Sequence, residues 1–90
     1  MRIAFDPAKR DKTLRERGLD FAQAEELFSG LTATVQDERR VYPEPRYITA
    51  GRLDGRIVVV VWTPIEDGRR VISMRHAHER EAEKWNERMG

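Results

Sequence analysis

The 90-residue sequence contains no cysteine and no long hydrophobic run. The first absence excludes disulfide bonds, thiolate nucleophiles and cysteine-ligated zinc, and it is consistent with a reducing compartment. A membrane-spanning helix needs roughly 20 apolar residues, and no run approaches that length. The N-terminus also lacks the apolar segment of a signal peptide. We therefore expect a soluble, cytoplasmic protein without a membrane partner.

Charge is abundant in this chain but almost balanced. Charged residues make up 37% of the sequence, yet the formal net charge is only +1. Any basic surface must therefore arise because like charges are grouped on one face. Residues 1–90 are predicted to form a single domain, whose modest core a partner chain can supplement.

The most hydrophobic stretch, Ile57 to Trp62, predicts a strand that is buried on both faces, because its β-branched side chains pack well on a pleated sheet. Asp54-Gly55 precedes this strand and Asp67-Gly68 follows it, and such dipeptides supply the positive φ values of tight hairpins. Three consecutive antiparallel strands are therefore predicted over Arg46–Leu53, Arg56–Thr63 and Arg69–Arg75. In the last strand, alternation predicts that Ile72 and Met74 face one way and Val71, Ser73 and Arg75 face the other.

Helix signals lie on either side of this strand region. Asp6 and Pro7 start a first helix over Ala8–Arg17, and Gly18 ends it. Asp20 caps a second helix, on which apolar residues from Phe21 to Phe28 form one face for packing on the sheet. With strands at Met1–Phe5 and Leu31–Gln36 and a helix after Ala77, the order is β-α-α-β-β-β-β-α. We predict an α+β domain with an antiparallel β-sheet, two N-terminal helices packed on it, and a C-terminal helix.

Short fragments along nearly the whole chain carry a family resemblance. They are Phe5-Asp-Pro-Ala-Lys9, Gly18-Leu-Asp-Phe21, Ala24 to Phe28, Glu44-x-Arg46-Tyr47, Gly51, Gly55-Arg56, Val61-Trp62-Thr63, Ile72-Ser73-Met74-Arg75-x-Ala77 and Glu79-Arg80-Glu81. In this order and spacing, the sequence resembles the BrnT family of ribonuclease toxins from bacterial type II toxin–antitoxin systems.

The resemblance implies a RelE-like fold and metal-independent cleavage of RNA through attack of a 2′-hydroxyl. It also implies a cognate DNA-binding antitoxin, which neutralises the toxin in a hetero-oligomer and represses the operon with it. Two positions depart from the family pattern. Pro64-Ile65 stands where members often have an arginine, and His76 stands where they commonly have lysine or arginine.

Metal-free cleavage of RNA needs a base, an acid, and cations that stabilise charge on phosphorus. Arg75 is the predicted cation, because a guanidinium can contact two phosphate oxygens at once. Glu44 and His76 complete the predicted catalytic set, since histidine is the side-chain type whose reference pKa lies near neutrality. The structural alternatives are an ion pair between Arg75 and a carboxylate such as Glu44, and a solvated histidine at a helix start.

Five further residues are predicted to bind RNA through phosphate contacts or base stacking. They are Arg46, Tyr47, Ser73, Arg70 and His78. A salt bridge and a half-buried ring are the structural alternatives for Arg46 and Tyr47. The Arg39-Arg40 and Arg69-Arg70 pairs are solvated loops by default, although they can also line an RNA groove.

No metal or cofactor is expected, since the His76-x-His78 pair has no clear third ligand in the sequence. Two other functional classes stay open. One is a weakened toxin that acts mainly as an antitoxin-binding co-repressor, and the loss of the arginine near Ile65 supports it. The other is an unrelated structural α+β domain, which the near-zero net charge supports.

Overall fold

The computed structural model describes residues 1–90, and it consists of five strands and three helices. The elements are β1 (Arg2–Ala4), α1 (Pro7–Arg17), a 3-10 turn (Phe21–Gln23), α2 (Ala24–Ser29), β2 (Ala33–Gln36), β3 (Tyr47–Leu53), β4 (Arg56–Ile65), β5 (Gly68–His76) and α3 (Glu79–Met89). The strands form one mixed sheet in the order β1-β5-β4-β3-β2. The predicted α+β class is therefore confirmed. None of the helices is long and apolar enough to cross a membrane.

The helix boundaries follow from local capping. The Asp6 side chain accepts a hydrogen bond from the backbone N–H of Ala8, Pro7 opens α1, and Gly18 ends it at a φ of 70°. Asp20 and Gln23 form a capping box at the second helical segment, which begins as a 3-10 turn before it becomes α2. These signals act within one helical turn, so the sequence alone locates them.

The three central strands pair antiparallel and in sequence, as predicted. Asp54 and Gly55 both have positive φ values, which is the hairpin geometry expected of this dipeptide. The β4–β5 hairpin differs, because Gly68 already belongs to β5 and pairs with Ile65. Gly68 does not have a positive φ, so the role predicted for it is wrong.

The short strand β1 pairs with β5 in parallel, with Arg2 opposite Gly68. The prediction of a wholly antiparallel sheet is therefore wrong at this edge. A Cβ atom on Gly68 would lie 1.9 Å from the backbone oxygen of Arg2, so the glycine permits the two backbones to approach. This contact joins two distant parts of the chain, and no local pattern indicates it.

A β-bulge interrupts β5 opposite Val61 and Trp62. Val61 pairs with Ser73 whereas Trp62 pairs with Val71, so the pairing passes over Ile72. Val71 and Met74 are consequently both buried in the same cluster. The predicted alternation is wrong at Val71, because a bulge adds one residue to a strand and inverts the faces beyond it.

Hydrophobic residues are buried on both faces of the sheet. On one face, which we call the α2 face, the cluster consists of Leu19, Phe21, Ala24, Leu27, Leu53, Val58, Val60, Val71 and Met74. The other, the α3 face, has a smaller cluster of Ala50, Ile57 and Met89, against which Ala82 and Trp85 of α3 are partly buried. Each large side chain buried in this way contributes about 1.5–3 kcal/mol. The α2 face thus provides most of the core, and the α3 face is more lightly covered.

Candidate functional site

Arg75 lies on the α3 face and is paired with a carboxylate of α3. It is the strand partner of Val59, which in turn pairs with Ala50 of the α3-face cluster. Its Nη1 and Nη2 donate to Oε1 and Oε2 of Glu81 at 2.6 Å each. These hydrogen bonds raise the pKa of Arg75 and lower the pKa of Glu81. An ion pair was the structural alternative for Arg75, and its partner is Glu81, not Glu44.

The start of α3 fixes the position of Glu81. The imidazole Nδ1 of His78 accepts a hydrogen bond from the Glu81 backbone N–H at 3.3 Å and so caps the helix. Ala77 is held to β4 by a hydrogen bond from its N–H to the Ile57 oxygen. Arg75 therefore meets a carboxylate whose backbone is anchored on both the helix and the sheet.

Beside Arg75, a strip of the α3 face is only partly covered. Strand pairing aligns Val35, Ile48, Val61 and Ser73 across β2, β3, β4 and β5, and we call this set the open row. All four residues are partly exposed, whereas Ala50 and Val59 of the adjacent row are buried. Arg75 thus lies at the border between the covered row and the open row.

Residues 37–46, which we call the arginine loop, join β2 to β3 and are organised by a buried carboxylate. The Asp37 side chain is fully buried, and it accepts hydrogen bonds from the N–H and the guanidinium of Arg39 and from the hydroxyl of Tyr42. The Arg39 guanidinium holds the pKa of Asp37 well below its ordinary value. The Asp37 N–H also donates to the Arg46 oxygen at 2.8 Å, which closes the base of the loop.

Four side chains of the arginine loop line an open groove of about 420 Å³, namely Arg39, Arg40, Tyr42 and Arg46. The Arg46 guanidinium lies 4.2 Å from the centre of the Tyr42 ring. Glu44 is 3.8 Å from Arg46, so the structure places Glu44 in this loop and pairs it with Arg46. Arg39 is also near enough to Arg75 that its charge opposes the larger effect of Glu81 on the Arg75 pKa.

His76 and Tyr47 are directed to the α2 face. His76 pairs with Val58 of the α2-face cluster, and its Nδ1 is buried without a hydrogen-bond partner. Neighbouring residues of a strand point to opposite faces, so the structure does not bring His76 and Arg75 together. The Tyr47 ring stacks on Trp62 with a centroid distance of 5.0 Å, which corresponds to its structural alternative, a half-buried ring.

The remaining predicted residues are dispersed over the surface. Ser73 lines a depression of about 250 Å³ along α1, together with basic residues that include Lys9, Lys12 and Arg17. Arg70 is exposed on β5. Arg69, its neighbour, lies over the rings of Phe28 and Trp62 at 4.0 and 4.6 Å, and burial lowers its pKa.

Two carboxylates with a structural role were not predicted from the sequence. They are Asp37, which organises the arginine loop, and Glu81, which pairs with Arg75. Asp37 looks like part of a polar turn, and the only sign of its role is the arginine two residues later. Glu81 belongs to the fragment Glu79-Arg80-Glu81, but its contact with Arg75 depends on how α3 docks. No group of three or more His, Cys, Asp or Glu side chains is arranged to hold a metal ion.

A family model described as "Ribonuclease toxin, BrnT, of type II toxin-antitoxin system" matches residues 5–81. The matched region runs from the residue before the α1 cap to Glu81, and it contains the arginine loop and Arg75. A comparison with curated proteins finds no match.

Proposed function

This chain belongs to the BrnT family of ribonuclease toxins of type II toxin–antitoxin systems, and from that premise we propose that it is a metal-independent endoribonuclease with a RelE-like fold. The family implies a protein antitoxin as partner. We propose that this antitoxin binds DNA, neutralises the toxin in a hetero-oligomer and represses transcription with it. The whole chain, 1–90, acts as one catalytic domain in the cytoplasm.

The observation that carries this proposal is the position of Arg75. Its side chain is 45% exposed at the border of the open row, on a strand that pairs with β4 on both sides of the bulge. In the proposed reaction the 2′-hydroxyl loses its proton and attacks the adjacent phosphorus, and the bond to the 5′-oxygen breaks as that oxygen gains a proton. Arg75 donates two hydrogen bonds to the phosphate oxygens, where negative charge builds up.

Glu44 and His76 are the proposed proton carriers, and each is tested separately from Arg75, because Glu44 lies in the arginine loop and His76 on the opposite face of the sheet. If His76 donates the proton to the leaving 5′-oxygen, His76→Ala slows cleavage by about a hundredfold or more, the usual contribution of a positioned general acid. Glu44→Gln gives the matching test for the general base. A cleavage rate that is unchanged in His76→Ala contradicts the role of the histidine.

The experiment for the proposed function is incubation of the purified protein with single-stranded RNA in EDTA. Attack by the 2′-hydroxyl predicts products that end in a 2′,3′-cyclic phosphate or its hydrolysis product. It also predicts that RNA with 2′-O-methyl groups is not cleaved. Cleavage of the methylated strand at the same rate contradicts the mechanism.

A specific contact favours a second function, that of an antitoxin-binding co-repressor with weakened catalysis. Both Nη atoms of Arg75 are already engaged by Glu81. A phosphate must replace that carboxylate before the Arg75 guanidinium can donate hydrogen bonds to the RNA. If neither the wild-type protein nor Glu81→Gln cleaves RNA while the antitoxin still binds, the second function is the correct one.

A further inference from the structure

The arginine loop presents cationic groups that the proposed reaction at Arg75 does not use. Arg39, Arg40 and Arg46 line its groove together with Tyr42, while Asp37 lies buried behind them. The sequence as a whole has a net charge of only +1. The loop itself holds three carboxylates, of which Asp37 pairs with Arg39 and Glu44 lies 3.8 Å from Arg46. Arg40 is therefore the cation of this groove that has no ion-pair partner.

Several hydrogen-bond donors in this groove have no protein partner. Arg39 uses Nε and Nη2 for Asp37, which leaves its Nη1 free on a side chain that is 65% exposed. Arg40 is exposed and makes no ion pair. The Nε of Arg46 is buried and has no hydrogen-bond partner. A buried donor of this kind is unfavourable unless a ligand or water accepts its hydrogen bond.

The groove is also held in shape before any ligand binds. The hydrogen bonds of Asp37 to Arg39 and Tyr42 fix two of its walls, and the contact of Arg46 with the Tyr42 ring fixes a third. A ligand that enters a preformed site loses less affinity to ordering of the protein.

We propose that this groove binds a phosphodiester group of single-stranded RNA, at a nucleotide away from the bond that Arg75 acts on. The proposal rests on the proposed ribonuclease function, because one RNA strand would contact both Arg75 and the arginine loop. The planar guanidinium of arginine can donate two hydrogen bonds to the oxygens of one phosphate, and an RNA strand carries a phosphate at every nucleotide. An acidic protein segment is the competing ligand, and the experiment separates the two.

The experiment measures binding of a 2′-O-methyl oligonucleotide, which keeps its phosphates but lacks the attacking hydroxyl. Arg40→Gln removes one cation that has no structural partner, so the fold is preserved. We expect affinity to fall about tenfold, the size of one lost charge-assisted hydrogen bond. The slope of log affinity against log salt concentration should decrease by about 0.7. The matched control is Arg56→Gln, at the opposite end of β3 and β4, which should change neither quantity.

Equal affinity and equal salt slope for Arg40→Gln and the wild type overturn the phosphate site, as does failure of the wild type to bind the oligonucleotide. So does a loss confined to antitoxin binding, which would assign the groove to a protein partner. The result for the cleavage proposal is separate. Loop-dependent binding without cleavage of unmodified RNA refutes the nuclease and leaves the phosphate site standing, whereas cleavage with binding unaffected by Arg40→Gln refutes the site alone.

Discussion

Asp37 is a single side chain on which the geometry of the arginine loop depends. It is completely buried, and its carboxylate is satisfied by Arg39 and Tyr42. A buried charge is stable only with such partners. The same hydrogen bonds that stabilise the ion also set the direction of the Arg39 guanidinium. Asp37 thus contributes both to the stability of the protein and to the shape of the groove.

We expect Asp37→Asn to lower the free energy of unfolding by about 1–2 kcal/mol at pH 7, since hydrogen bonds to a charged group are lost. The loss is not larger because the Arg39 side chain is mostly exposed, and solvent screens its interaction with Asp37. Because the folded-state pKa of Asp37 is depressed, its stabilisation is complete above the unfolded-state value of about 3.9 and is lost as the pH falls from there toward the folded value. Urea unfolding at a series of pH values should therefore show the two proteins converging in acid. Glu38→Gln, an exposed neighbour, is the control and should have little effect at any pH.

The contact between α3 and β5 determines the state of Arg75. Glu81 lies in the first turn of α3, where a carboxylate also interacts favourably with the helix dipole. Packing of Ala82 and Trp85 on the α3 face fixes the helix, so the ion pair is a consequence of docking. In this conformation Glu81 competes with any phosphate for the same two Nη groups.

Glu81→Gln should therefore strengthen binding of the 2′-O-methyl oligonucleotide by roughly three- to fivefold, the size of one partly exposed ion pair. Filter binding or fluorescence anisotropy measures this change. Glu83→Gln removes the same charge from an exposed position of α3 and should leave the affinity unchanged. Equal affinities of the wild type and Glu81→Gln would contradict competition at Arg75.

The elements that the sequence predicted are those determined by nearby residues. Asp6 and Gly18 delimit α1, and Asp54-Gly55 forms the β3–β4 turn, because each acts on the backbone within a few residues. The features that could not be predicted depend on distant contacts. Gly68 serves the parallel approach of β1, and the bulge at Ile72 inverts the faces of β5.

The same distinction applies to the candidate site. Arg75 was predicted as a site residue from the sequence, whereas its partner Glu81 and the buried Asp37 were not, since both contacts require the tertiary fold. His76 and Arg75 are consecutive in the sequence and lie on opposite faces, so nearness along a strand was misleading. A catalytic pair on a strand is more readily found two residues apart.

At the scale of the whole molecule, the two faces of the sheet differ in how completely they are covered. The α2 face contains the larger core, whereas the α3 face combines a small cluster, the open row and Arg75. This arrangement leaves the second face with partly exposed apolar residues beside a cation. We expect the antitoxin to cover that face, which would both bury the open row and block Arg75.

Co-expression of the toxin with its antitoxin should yield one complex. It should contain more than one toxin chain if the antitoxin is a dimer, since most assemblies are symmetric. Size-exclusion chromatography with light scattering gives the mass of the complex. Separate elution of the two proteins at micromolar concentration would contradict the predicted association.

The most direct test of the account is the rate of RNA cleavage in EDTA by wild-type protein, Arg75→Ala and Arg75→Lys, with melting temperatures measured in parallel. We predict that Arg75→Ala is slower by about a hundredfold or more, the usual loss when one preorganised donor to a developing charge is removed. Arg75→Lys should not restore the rate, because an ammonium group cannot reproduce the planar fork. Both variants should keep a melting temperature close to that of the wild type. Equal cleavage rates for all three proteins, or a loss of activity that follows a large fall in melting temperature, would contradict the account and leave Arg75 as a brace between β5 and α3.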